Sequence, residues 1–165
     1  MSGIDWQDIH HLRAAEGWLG LGDYEEATAE LQHLNPHLST HPAVLRLRYA
    51  IQLAGKNWEM VAEITGMLLS ISPEDPTGWL HHSEALHELH RTVEARDALK
   101  TAALLFPDHA LIRYNLACYE SHLGNLAGAT DYLKQAFRLP EGGKLKHDAL
   151  ADPDLLPLWQ EIGSL

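Results

Sequence analysis

Four short stretches, GDYEEA from Gly22, KNWEMV from Lys56, HRTVEA from His90 and GNLAGA from Gly124, follow one another at a constant separation of 34 residues. No insertion or deletion interrupts the period. In the first, Gly22 and Asp23 end one helix, and the Asp23 carboxylate is placed to accept from the free N–H groups that open the next. Tyr24, Trp58, Thr92 and Leu126 form one column, Ala27, Val61, Ala95 and Ala129 the next, and Leu31, Thr65, Leu99 and Leu133 a third. Steps of three and then four return to the same face of a helix, and Leu34, Leu68, Ala102 and Ala136 extend that face. A chain with this pattern buries its apolar faces between successive like units.

A second helix precedes each turn, carrying Ala15, Tyr49, Ser83 and Ala117 at matching places. The small residues allow two antiparallel helices to approach closely, whereas Tyr49 predicts a wider or tilted crossing in its unit. Pro73 and Pro107 stop their helices 34 residues apart, with Pro140 one residue early and Pro36 three residues early. The pattern predicts helices over about 5–20, 24–35, 42–54, 57–71, 77–89, 92–105, 110–122 and 126–138, and no strand. From Pro140, PEGGKLKH breaks the period. Leu155, Leu158, Trp159 and Ile162 then recur at helical spacing behind Asp152 and Pro153, a helix-start signal. The last unit of a stack would otherwise expose its apolar face, so this segment reads as a cap.

These units, each a helix–turn–helix pair of 34 residues with small, aromatic and proline punctuation, resemble the tetratricopeptide repeat over roughly Asp8 to Leu139. The resemblance implies an all-α right-handed superhelix, an α-solenoid of four such units plus a C-terminal capping helix. One domain is expected over 1–165, with units at about 8–41, 42–75, 76–109 and 110–143 and the cap at about 144–165.

Charge and cysteine usage narrow the partners. Twelve Lys and Arg against 23 Asp and Glu give a net charge of −11, which disfavours nucleic-acid phosphate and anionic membrane surfaces. Protonating all 12 histidines would bring the balance close to neutral, so net charge responds strongly to pH between about 5 and 7. Cys118 is the single cysteine, which excludes an intramolecular disulfide and a multi-cysteine zinc site. The N-terminal MSGIDWQD has no basic region followed by an apolar stretch, and apolar runs are short, as at Ala102 to Phe106. A soluble, cytoplasmic protein is expected.

The resemblance further implies a noncatalytic interaction module or adaptor, whose concave groove is walled by the first helices and takes a partner peptide or helix. Transferred to this sequence, the groove positions include Leu12, Arg13 and Glu16 in the first unit and Arg46, Leu47 and Ala50 in the second. The third contributes His81, Glu84, His87 and Glu88, and the fourth Tyr114, Asn115, Cys118 and His122. A ligand with an apolar portion and a basic or hydrogen-bonding portion complements that wall. Relatives that hold acidic chaperone tails use Lys, Asn and Arg where Leu12, Glu16, Leu47, Thr77 and His81 stand here, so that carboxylate clamp is absent. A chaperone for secreted effector proteins is a related alternative, and Trp6, which either packs under the first pair or stays exposed at the N-terminal end, leaves self-association open.

A metal- or pH-responsive histidine site is the competing class, on Glu84, His87 and His90 at steps of three with His81 or His122 as a further ligand. No HExxH or cysteine pair supports it, so no metal and no cofactor are expected. Cys118 and His122 form an i, i+4 pair, but nothing mid-helix supplies an oriented base and oxyanion donors, and no enzyme activity is expected. Tyr24 and Trp58 are expected to wedge between the helices of their own pairs, and Trp18 and Trp79 to join neighbouring units.

Overall fold

The computed structural model describes residues 4–165, all in helices and their connections. It divides into two compact units, the first up to Pro73 and the second from Glu74 to Leu165.

In the first unit, α1 (Trp6–Leu21) pairs with α2 (Tyr24–Gln32), and α3 (Pro42–Ala54) with α4 (Trp58–Ile71). Asp5 caps α1 by accepting from the Asp8 N–H at 2.8 Å. The α2 helix stops at Gln32 and not at 35, because Asn35 and Pro36 begin a 3-10 turn, Pro36–Leu38, in which Asn35 is the cap. Asp8, itself buried, accepts from the Asn35 N–H at 2.9 Å and ties that turn back to α1. The core gathers Leu12, Ala15, Ala27, Leu31, Leu34, Leu38, Val44, Leu47 and Ile51, among which Ala15, Ala27, Leu31 and Leu34 come from the columns of the 34-residue period.

The second unit holds α5 (Pro76–Glu88) with α6 (Thr92–Leu105), and α7 (Ala110–His122) with α8 (Leu126–Arg138). It continues into α9 (Gly142–Ala149), a 3-10 segment (Pro153–Leu158) and the short α10 (Trp159–Ile162). Leu99, Ile112, Leu116 and Leu133 are fully buried, and so are Leu155, Leu158 and Ile162 from the C-terminal segment. That segment packs on α7.

The turns inside all four pairs are the same object. Gly22, Lys56, His90 and Gly124 each adopt positive φ, at 80°, 53°, 60° and 81°. The next residue in each case donates its N–H to a carbonyl five positions back: Asp23 to Trp18, Asn57 to Gln52, Arg91 to Leu86 and Asn125 to Glu120. This double closure of a helix end requires one left-handed residue, natural for glycine and strained for Lys56 and His90. Tyr24, Trp58, Thr92 and Leu126 accordingly start α2, α4, α6 and α8. Their side chains fare differently. Thr92 is only 5% exposed, whereas Tyr24 is 39% exposed and does not wedge between its helices. At the first helical position a side chain leans back over the turn, so a long ring overshoots into solvent where threonine fits beneath.

Two further expectations change at the C-terminal end. The stretch that breaks the period is itself helical, α9, reached through a reversal at Glu141 (φ 70°). A Cβ on Gly142 would lie 2.5 Å from the Phe137 carbonyl oxygen, so glycine is required there. The cap is not one helix but a 3-10 segment and one α-turn, because Pro157 inside it has no N–H for an α-helical bond. Asp152 does start it, accepting from the Asp154 N–H at 3.0 Å.

Candidate binding cleft and histidine cluster

Along α5, steps of three and four place Thr77, Leu80, His81, Glu84, His87 and Glu88 on one face; along α7 they do the same for Leu111, Tyr114, Asn115 and Cys118. In the second unit these faces border one cleft of about 550 Å³, completed by His109, Tyr119, Asp152 and Asp154. Glu84 and Glu88 are exposed at its rim, and Asn115 is half-buried. With Asp152 and Asp154 they give it an acidic lining.

The C-terminal segment covers part of the expected wall. Tyr114 is buried and donates to Asp152 Oδ2 at 2.6 Å, Cys118 Sγ lies 3.6 Å from the same oxygen, and Ser121 Oγ donates to the Asp154 carbonyl at 2.7 Å. Burial pushes the Cys118 thiol pKa well up, and the negative charges of Asp152 and Asp154 push the same way. Burial likewise raises Tyr114, with its hydrogen bond to Asp152 adding to the effect. Cys118 is therefore held as a thiol beside a carboxylate and lacks the electropositive setting of a nucleophile. Tyr114 and Cys118 thus serve the cap, because the Asp152 carboxylate of the C-terminal segment satisfies both.

At the far end of α5 the His87 ring is fixed on three sides. Its Nδ1 is 3.0 Å from Thr92 Oγ1, its centroid 4.9 Å from that of Tyr119, and the His122 ring meets it edge-on at 5.0 Å. Burial lowers the His87 pKa, opposed by the charge of Asp154 and reinforced by His122. Ligand atoms of His87, His122 and Asp154 all lie within 4.8 Å of one another, and a second group, Cys118, Asp152 and Asp154, adjoins it. His90, grouped with Glu84 and His87 by spacing, is the exposed positive-φ turn residue and stands outside both groups. His109 sits one period beyond Asp75, whose carboxylate caps α5 by accepting from Thr77. The His109 side chain makes no such cap, and its buried Nδ1 has no hydrogen-bond partner among the described residues.

The remaining groove candidates belong to the first unit. Leu12 and Leu47 are buried in its core and offer no contact surface, since the same columns that form the groove wall also carry the packing. Arg13, Glu16 and Arg46 are exposed, and Ala50 is half-buried. Spacing alone does not mark Asp152, Asp154, His109 or Thr92 as site residues. Asp152 is legible only as a helix start, and its contacts arise from the return of the chain onto α7.

No family model matches the sequence, and no curated protein does. Among solved structures, the chain superposes on a MamA RS-1 ArsTM double mutant with a TM-score of 0.69 at 14% identity, covering 88% of this chain and 78% of the other. It also matches TTC0263, a thermophilic TPR protein of Thermus thermophilus, with a TM-score of 0.58 at 21% identity over 96% of this chain and 100% of that one. Against the APC/C hetero-tetramer Cut9-Hcn1 the TM-score is 0.64 at 15% identity, spanning 95% of this chain and 30% of that one. The fold is that of a tetratricopeptide-like helical repeat. No helix among the described residues is long and apolar enough to cross a membrane.

Proposed function

We propose that this protein is a noncatalytic interaction module and that the cleft between α5 and α7 receives a cationic segment of a partner protein. The observation that carries this reading is the cleft itself, about 550 Å³ with Glu84, Glu88, Asp152 and Asp154 along it. Leu80 and Leu111 provide apolar contact, and Asn115, His81 and the buried His109 Nδ1 provide hydrogen-bonding groups. A basic side chain entering there trades water for several carboxylates, and the net charge of −11 steers it inward. The fold shared with other helical repeats supports a binding role, by analogy.

The test is capture of partners from native cell extract on immobilised protein, followed by affinity measurement with the partner identified. The double variant Glu84→Lys, Glu88→Lys is expected to weaken that affinity at least about tenfold. Unchanged affinity rejects the cleft as the contact. Self-association is a second reading, favoured by Trp6, 79% exposed at the start of α1. Sedimentation of Trp6→Ser against the parent protein decides it, a monomer in both excluding that surface.

A further inference from the structure

We infer that His87, His122 and Asp154 form a binding site for a divalent transition-metal ion of the zinc class, and that the ion staples the C-terminal segment to α5 and α7. The three residues come from three elements: the last turn of α5, the last residue of α7 and the 3-10 segment that follows α9. Their ligand atoms lie within 4.8 Å of one another. Four-coordinate zinc with bonds of about 2.0–2.2 Å needs donors roughly 3.3 Å apart. The site is therefore assembled to within about 1.5 Å.

The chemistry of the donors selects the ion. Two imidazoles and one carboxylate suit zinc, cobalt or nickel, whereas calcium and magnesium require mainly oxygen ligands. Metal-bound imidazoles use one ring nitrogen for the ion and hold the other in a hydrogen bond that fixes the ring. His87 has that second contact, Nδ1 to Thr92 Oγ1 at 3.0 Å, which leaves Nε2 for a metal. The ring is also packed against Tyr119. The Asp154 carboxylate makes no hydrogen bond among the described residues, while its backbone carbonyl is held by Ser121. Three protein ligands leave one coordination position for water or for a donor group of a bound molecule. The site shares His87 and Asp154 with the cleft proposed above, but its test needs no partner, so failure of the one reading is distinguishable from failure of the other.

Calorimetric titration of the metal-free protein with zinc chloride tests it, with cobalt(II) absorption as a second readout of four-coordinate geometry. The parent is expected to show one saturable site above any weak background from the other histidines. His122→Gln and Asp154→Asn are each expected to weaken it at least about tenfold, and His90→Gln, outside the cluster, to leave it unchanged. Zinc should raise the melting temperature of the parent and of His90→Gln but not of Asp154→Asn. His122 is exposed, so its substitution leaves the fold intact, as circular dichroism of the metal-free variant verifies. Absence of a saturable site in the parent, or equal affinity in His122→Gln and Asp154→Asn to that of the parent, overturns the assignment.

Discussion

The Tyr114 hydroxyl donates to the Asp152 carboxylate at 2.6 Å, joining the middle of α7 to a residue 38 positions further along the chain. The other oxygen of Asp152 caps the 3-10 segment through the Asp154 N–H, and its backbone carbonyl accepts from Trp159 Nε1 at 3.1 Å. One aspartate thus starts the cap, anchors it to α7 and orients its tryptophan. Replacing Tyr114 by Phe should cost about 1–2 kcal/mol, because the carboxylate loses one partner. Asp152→Ala should cost about 2–4 kcal/mol, because it also removes the cap and leaves the buried hydroxyl unsatisfied. Urea unfolding of the three proteins measures both; a smaller loss in Asp152→Ala than in Tyr114→Phe would contradict this account.

The same covering makes a kinetic prediction for Cys118. Its thiol is buried beneath the C-terminal segment, and burial with the adjacent carboxylates suppresses the thiolate. A soluble disulfide reagent should react with it at least about tenfold more slowly than with free cysteine at neutral pH. Leu158→Ala, which empties a fully buried position of the cap, should accelerate the reaction and cost about 2–5 kcal/mol. Equal labelling rates in the two proteins would mean that the segment does not protect the thiol.

The fourth pair carries a buried charge that predicts acid sensitivity. Glu120, on α7, lies 3.0 Å from Lys100 Nζ and accepts from Asn125 Nδ2 at 2.9 Å. Burial alone would raise its pKa; the hydrogen bonds from Asn125 and Lys100 outweigh it and hold the carboxyl below the ordinary carboxylate range. Its contribution is therefore complete above the carboxylate pKa of the unfolded chain and is lost as pH falls through the lower folded value. Glu120→Gln should cost about 1–3 kcal/mol at pH 7, and the difference from the parent should shrink toward pH 3. Denaturant unfolding at a series of pH values checks this, and a gap that widened in acid would refute it.

How much of this is readable from the sequence depends on the range of the interaction. The 34-residue columns are local, since a helix face and a turn are set within one or two turns of chain, and the starts of α2, α4, α6 and α8 at Tyr24, Trp58, Thr92 and Leu126 follow from them. Asp23 is legible as a cap for the same reason, and it accepts from the Glu26 N–H at 3.1 Å. The period also assigns faces, but a face that packs and a face that binds share columns, so Leu12 and Leu47 go to the core of the first unit. Tyr114 and Cys118 cannot be distinguished from open groove residues, because the group that covers them, Asp152, lies beyond the break in the repeat. Helical spacing groups His87 with His90, whereas its ring neighbours, His122 and Tyr119, come from a different helix.

Two of the four turns hold their left-handed residue without glycine. Gly22 and Gly124 adopt φ near 80° without strain, while Lys56 and His90 hold the same turn at 53° and 60° with a Cβ in place. Left-handed backbone costs a non-glycine residue roughly 1–2 kcal/mol, and part of that is returned because a side chain restricts the unfolded chain. Lys56→Gly and His90→Gly should each stabilise the protein by about 0.5–1 kcal/mol, and because the two turns share no hydrogen bond the effects should add within about 0.5 kcal/mol. Both side chains are exposed, and His90 stands outside the histidine cluster, so neither change removes a buried contact. Gly124→Ala should shift stability by a similar amount in the opposite direction, since nothing crowds its Cβ and only the φ of 81° opposes it. Melting temperatures of the three single variants and of the Lys56→Gly, His90→Gly pair measure these effects. Destabilisation by glycine at either position would show that the turn is not strained there.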